Sequence, residues 1–124
     1  MAKIKIMIVE DNVTSLKLAG DLLEIEGFEV CRCMDAEAAM KALDQFRPDL
    51  ILMDLALPGM DGLQLTRKLK SEENTKKIKI IALTASAMKG DKEKIFSAGC
   101  DGYITKPIDT RKLKKQIMQY LQYM

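Results

Sequence analysis

Five short apolar runs alternate with five amphipathic stretches along this chain, and few folds accommodate that rhythm. IKIMIV (4–9), FEVCRC (28–33), LILMD (50–54), KIIALT (79–84) and GYIT (102–105) read as strands. Most of their consecutive positions are apolar, as burial on both faces of a sheet requires. Segments 14–26, 36–46, 62–73, 89–98 and 109–123 carry helical spacing. Gly27 and Gly99 are placed to stop the first and fourth helices, and Asp35 to cap the second. Alternation without a repeat, linker or low-complexity segment predicts an α/β, doubly wound (βα)5 sandwich. Its expected parallel sheet has the order 2-1-3-4-5. The five units use up residues 1–124 as a single domain and leave no room for an output domain.

Twenty basic against eighteen acidic residues leave a charge of +2, too small to suggest nucleic acid or a membrane surface as partner. No apolar stretch approaches a membrane span and no signal peptide is recognisable, so a cytoplasmic protein is expected. Cys31, Cys33 and Cys100 show no C-x-x-C spacing, and the chain has no histidine. The cysteines therefore read as reduced small hydrophobes rather than zinc ligands. Chemistry that needs an imidazole has to come from another molecule.

Ligands of doubly wound sheets sit beyond the carboxyl ends of the strands, near the switch point between strands 1 and 3. The residues there are Glu10 and Asp11, then Asp54, Thr84 and Lys106. Carboxylates about 4 Å apart repel by roughly 4 kcal/mol per pair at an effective dielectric near 20. Three of them in one crevice demand cations. Lys106 supplies one, and the remainder suits Mg²⁺, which takes carboxylates, waters and a phosphate oxygen. The pocket thus reads as built for Mg²⁺ and a phosphoryl group, with Asp54 left free to attack. The loop VEDN after strand 1 excludes a dinucleotide binder, which needs glycines and backbone amides there. A metal-dependent small-molecule phosphatase is the alternative of a different class. It usually needs a second acid two residues after its nucleophile, and that position is Ala56.

The stretches IMIVEDN, LILMDLALPGMDG, ALTASAMKGD and GCDGYITKPI carry a family likeness. Nearly the whole chain resembles the receiver domain of two-component response regulators. The last two stretches are most similar to stand-alone regulators of the cell-cycle type and to receivers of hybrid kinases. The resemblance implies a flavodoxin-like fold with Asp54 as phosphoacceptor. It implies Mg²⁺, with Mn²⁺ able to substitute, held by Asp11 directly, by Glu10 through water, by Asp54 and by the backbone carbonyl of Ala56. Thr84 would bond a phosphoryl oxygen, Lys106 would pair with the phosphoryl group or acceptor, and Tyr103 matches the switch aromatic. Tyr103 also fits a plain core role. Lys106-Pro107 matches a bond that is cis in the family, a form X-Pro permits at about 0.5–1 kcal/mol.

The implied partners are a histidine kinase or histidine phosphotransfer protein as donor and an effector protein that reads the face of helix 4, strand 5 and helix 5. The protein is expected to catalyse only its own phosphoryl transfer and hydrolysis, as a monomer or weak dimer. A phosphate shuttle or sink in a relay, or a receiver cut from a hybrid kinase, are the neighbouring readings. Ala56 and Ser86, short and uncharged, offer nothing to orient an attacking water, so dephosphorylation is not expected to be fast. In the first helix, Leu16, Ala19 and Leu23 form a core stripe and Leu18, Leu22 and Ile25 a second one. The second stripe fits packing on the last helix or docking of a phosphodonor helix, with Leu18 and Leu22 as its contacts. In the last helix Leu113, Ile117, Tyr120, Leu121 and Met124 form the core stripe, and Met118 and Tyr123 are placed on a partner-binding edge.

Overall fold

The computed structural model describes residues 3–122. Five strands, β1 (Lys5–Val9), β2 (Glu29–Cys33), β3 (Leu50–Asp54), β4 (Lys79–Thr84) and β5 (Gly102–Thr105), alternate with five helices. These are α1 (Val13–Ile25), α2 (Ala36–Ala42), α3 (Gly62–Ser71), α4 (Lys89–Ser97) and α5 (Leu113–Gln122). All pairings are parallel and the order is β2-β1-β3-β4-β5, as the alternation predicts. Each run feeds two cores, because successive strand side chains point to opposite faces. Met7, Val9, Ile51 and Met53 meet Ala36, Leu65, Leu69 and Ile95 on one face. Ile6, Ile8, Leu50 and Leu52 meet Leu16, Leu23, Leu113 and Ile117 on the other. Helices α2, α3 and α4 therefore cover one side of the sheet, and α1 and α5 the other.

Side chains fix most helix starts. Asn12 and Asp35 cap α1 and α2, and Asp61 forms a reciprocal capping box with Gln64 at α3. Gly99 ends α4 at φ +106°, the left-handed conformation its sequence position predicts. Two ends differ from expectation. Helix α2 stops at Ala42 rather than Phe46, because the chain tightens into i→i+3 bonds (Asp44 to Lys41, Gln45 to Ala42) before Pro48. Helix α5 begins at Leu113 rather than Asp109, because the Asp109 carboxylate accepts from the backbone N–H of Arg111 and makes a local turn. Met118 is half-buried and packs against the core on the α1–α5 side. Tyr123 and Met124 lie outside the described residues. Among the described residues no helix is long and apolar enough to cross a membrane, and all three cysteines are free.

Candidate functional site

The parallel register brings the ends of β1 and β3 side by side, with Val9 opposite Met53. The next residues, Glu10 and Asp54, are both buried, while Asp11 is exposed. One carboxylate oxygen from each of the three lies within 4.8 Å of the others. Lys106, delivered by β5 and followed by a cis bond to Pro107, places Nζ 3.1 Å from Glu10 Oε1 and 3.1 Å from Asp54 Oδ1. The backbone N–H of Ala56 donates to Asp54 Oδ1 at 3.0 Å. A Cβ at Gly62 would collide with the Asp54 carbonyl oxygen, so only glycine lets the start of α3 sit directly behind the acceptor strand.

One ammonium pairs with two carboxylates of the three-acid cluster, and the charge states of the paired groups respond. Burial, reinforced by a hydrogen bond to Asp54, pushes Glu10 up to about 7. Burial acts on Asp54 in the same direction, but hydrogen bonds from Glu10, the Ala56 amide and Lys106 together outweigh it and hold Asp54 below its ordinary value. Lys106, which burial alone would lower, is raised by Asp54 and Glu10. An all-oxygen, electron-rich donor set of this kind fits a hard divalent cation.

The other sequence candidates surround this cluster. Thr84 ends β4 with its hydroxyl turned into its own loop, donating to the Ser86 carbonyl at 2.8 Å. Tyr103 is half-buried on the α3–α4 side, edge-on to Phe96 with ring centroids 6.2 Å apart and with the Lys92 ammonium over its face. Leu18 is 58% and Ile25 83% exposed, whereas Leu22 is partly buried against the core. The second stripe of α1 is thus left largely uncovered by α5. Leu18 and Leu22 line a groove of about 390 Å³ together with Pro107, Ile108 and Leu113, and Glu10 and Lys106 form part of its wall. Sequence reasoning missed Asp91, which accepts the Ser86 hydroxyl at 2.6 Å. Its one signal was an acidic residue in the first turn of a helix whose cap position holds Met88, a residue unable to cap.

A parallel sheet in this order, with three acids and a lysine gathered at its carboxyl edge, defines a CheY-like α/β fold with an acidic pocket. The chain belongs to the response regulator receiver domain family, whose profile matches residues 6–118. It is 45% identical over 116 residues to the polar-differentiation response regulator DivK of Brucella anthropi, covering 94% of each protein. The receiver domain of sensor histidine kinase PA1611 from Pseudomonas aeruginosa, solved with a magnesium ion in its active-site cleft, superimposes with a TM-score of 0.87. It shares 34% identity, over 98% of this chain and 99% of that one. Chemotaxis protein CheY4 of Vibrio cholerae, at 24% identity, 96% of this chain and 99% of that one, has the same fold with a TM-score of 0.91.

Proposed function

We propose that this protein is a stand-alone phosphoacceptor switch of the cytoplasm, phosphorylated on Asp54 by a phosphohistidine on a separate kinase or phosphotransfer protein. The observation that carries the reading is the Lys106 ammonium at 3.1 Å from both Glu10 and Asp54 inside a three-carboxylate cluster. Asp54 stays ionised there, as a nucleophile must. Its free carboxylate oxygen attacks phosphorus in line. The new O–P bond forms as the donor's N–P bond breaks, and the imidazole leaves to take its proton from solvent. Lys106 stabilises the charge that builds on the phosphoryl oxygens, and Thr84 donates to one of them. Glu10, Asp11, Asp54 and the Ala56 carbonyl would hold Mg²⁺, or Mn²⁺ in its place. When bound, the ion supplies the positive charge that the carboxylates and phosphoryl oxygens lack.

The likeness to DivK, which spans 94% of that relative's own length, supports a regulator of the same kind. The readout is then a change of shape on the α4–β5–α5 face, around Tyr103, read by an effector protein. Ala56, exposed at the position where an aspartate-based phosphatase carries its second acid, argues against hydrolysis of soluble esters. The test is labelling from acetyl phosphate with Mg²⁺, followed by intact-mass spectrometry. Asp54→Asn is expected to abolish labelling, and Thr84→Ala to keep it while losing the downstream response. Full labelling of the Asp54→Asn protein, or multiple turnover on a phosphate ester, would overturn the assignment.

A further inference from the structure

The Thr84 hydroxyl, assigned above to a phosphoryl oxygen, is committed elsewhere in the structure. It donates to the Ser86 carbonyl at 2.8 Å and accepts from the Ser86 backbone N–H at 3.2 Å. Ser86 in turn donates its own hydroxyl to Asp91 Oδ2 at 2.6 Å, the short distance of a charge-assisted bond. Asp91 stands in the first turn of α4, which has no side-chain cap. A two-link chain therefore runs from the end of β4 to the start of the helix that borders Tyr103: a reciprocal pair of bonds joins Thr84 to Ser86, and a third joins Ser86 to Asp91.

We propose that Ser86 is a positioning residue and Asp91 its anchor, together holding the Thr84 hydroxyl away from Asp54 and so restraining phosphorylation. This rests on the assignment of Asp54 and Thr84 made above. A hydroxyl has one proton to give, so Thr84 can serve a phosphoryl oxygen only by releasing the Ser86 carbonyl. A loop free to turn can rotate that carbonyl to water at little cost. A loop fastened to α4 through a carboxylate resists, and the resistance reaches Asp54 only through Thr84. Linkage runs both ways: phosphorylation that draws Thr84 inward loosens the Ser86–Asp91 bond and with it the first turn of α4. A partner that prefers α4 in its loosened position favours phosphorylation in return.

The test compares initial labelling rates with acetyl phosphate and Mg²⁺ by intact-mass spectrometry. Ser86→Ala and Asp91→Ala are each expected to raise the rate by roughly threefold to tenfold, the worth of one net hydrogen bond. The double variant should do no more than either single one, because both break the same link. Ser86→Thr, which keeps the hydroxyl, restores the original rate. In a Thr84→Ala background, loss of the Ser86 hydroxyl should change nothing, a result that general loosening of the loop would not produce. Amide exchange at Lys92, whose N–H closes the first turn of α4 on the Met88 carbonyl, should quicken in Ser86→Ala without phosphate, which reports the link even if the rates shift for other reasons. Unchanged or slower labelling in both single variants, or an increase that persists without Thr84, overturns the proposal while leaving the phosphoacceptor assignment intact. Failure of the wild-type protein to label, or labelling that survives Asp54→Asn, sinks the assignment itself.

Discussion

Glu10 and Asp54 share the Lys106 ammonium, and the pair divides its charge unevenly. Glu10 titrates near 7 against an ordinary value of 4.5, chiefly through burial and then through its bond to Asp54. A carboxyl whose folded pKa is raised binds its proton more tightly in the native state. Its contribution to stability is fully present below about 4.5 and is lost as pH rises through about 7. Asp54 is shifted the other way, and its contribution is lost only at pH values below its ordinary carboxylate range. Between pH 5 and 8, then, the metal-free protein should lose about 2 kcal/mol of stability through Glu10. Urea denaturation at several pH values should show this slope in the wild type and its removal in Glu10→Gln. Mg²⁺ must displace the same proton, so its affinity by calorimetry should rise from pH 6 to 8. In Glu10→Gln the affinity should be lower and the rise absent. A wild-type affinity that does not change with pH would contradict the proton on Glu10.

At the scale of elements, α1 serves two faces. Leu16, Ala19 and Leu23 are buried against the sheet. Leu18 projects beside the groove whose wall includes Lys106 and Glu10, where a phosphodonor helix could bring its phosphohistidine to Asp54. Leu18→Glu should therefore slow phosphotransfer from a cognate donor by roughly tenfold or more, as expected for a buried apolar contact at an interface. It should leave acetyl phosphate labelling unchanged, and equal slowing of both would indicate core damage instead. The strands and the grouping of Glu10, Asp11, Asp54 and Lys106 were legible in the sequence, because apolar runs and their polar ends fix what a parallel sheet gathers at its carboxyl edge. The exposure of α1's second stripe was not, since 3.6-residue spacing reports apolarity and not which neighbour covers it. The ends of α2 and α5 were also hidden. Asp109 is as plausible a helix cap as a turn former, and only the placement of Arg111 decides between them. The Ser86–Asp91 bond could not be read either, because it depends on the path of a loop.

Over the whole molecule, the two edges of the sheet do different work. The carboxyl edge crowds acids that repel one another, whereas side chains lock the amino edge. Asp101, just before β5, accepts from the backbone N–H of Ile80 and from Lys70 Nζ, both at 2.8 Å, with the same oxygen Oδ2. Lys70, on α3, also donates to the Ile78 carbonyl at 2.8 Å. Helix α3, β4 and β5 are thereby tied together. On the other side of β3, Arg47 bridges the carbonyls of Leu43 and Asn74 and joins the loops that follow α2 and α3. Such bonds add stability at the end of the strands opposite the acidic cluster, where they can be altered without touching it. Asp101→Ala leaves the Ile80 amide without a partner and the Lys70 ammonium with backbone carbonyls alone, and should cost about 2 kcal/mol, the usual loss for hydrogen bonds to a charged group. That fall should appear in urea denaturation, while the initial labelling rate at 20–25 °C stays at the wild-type value. If Asp101→Ala instead slowed labelling in proportion to its loss of stability, the amino edge would be coupled to the pocket, and the division of the sheet into a scaffold edge and a working edge would have to be given up.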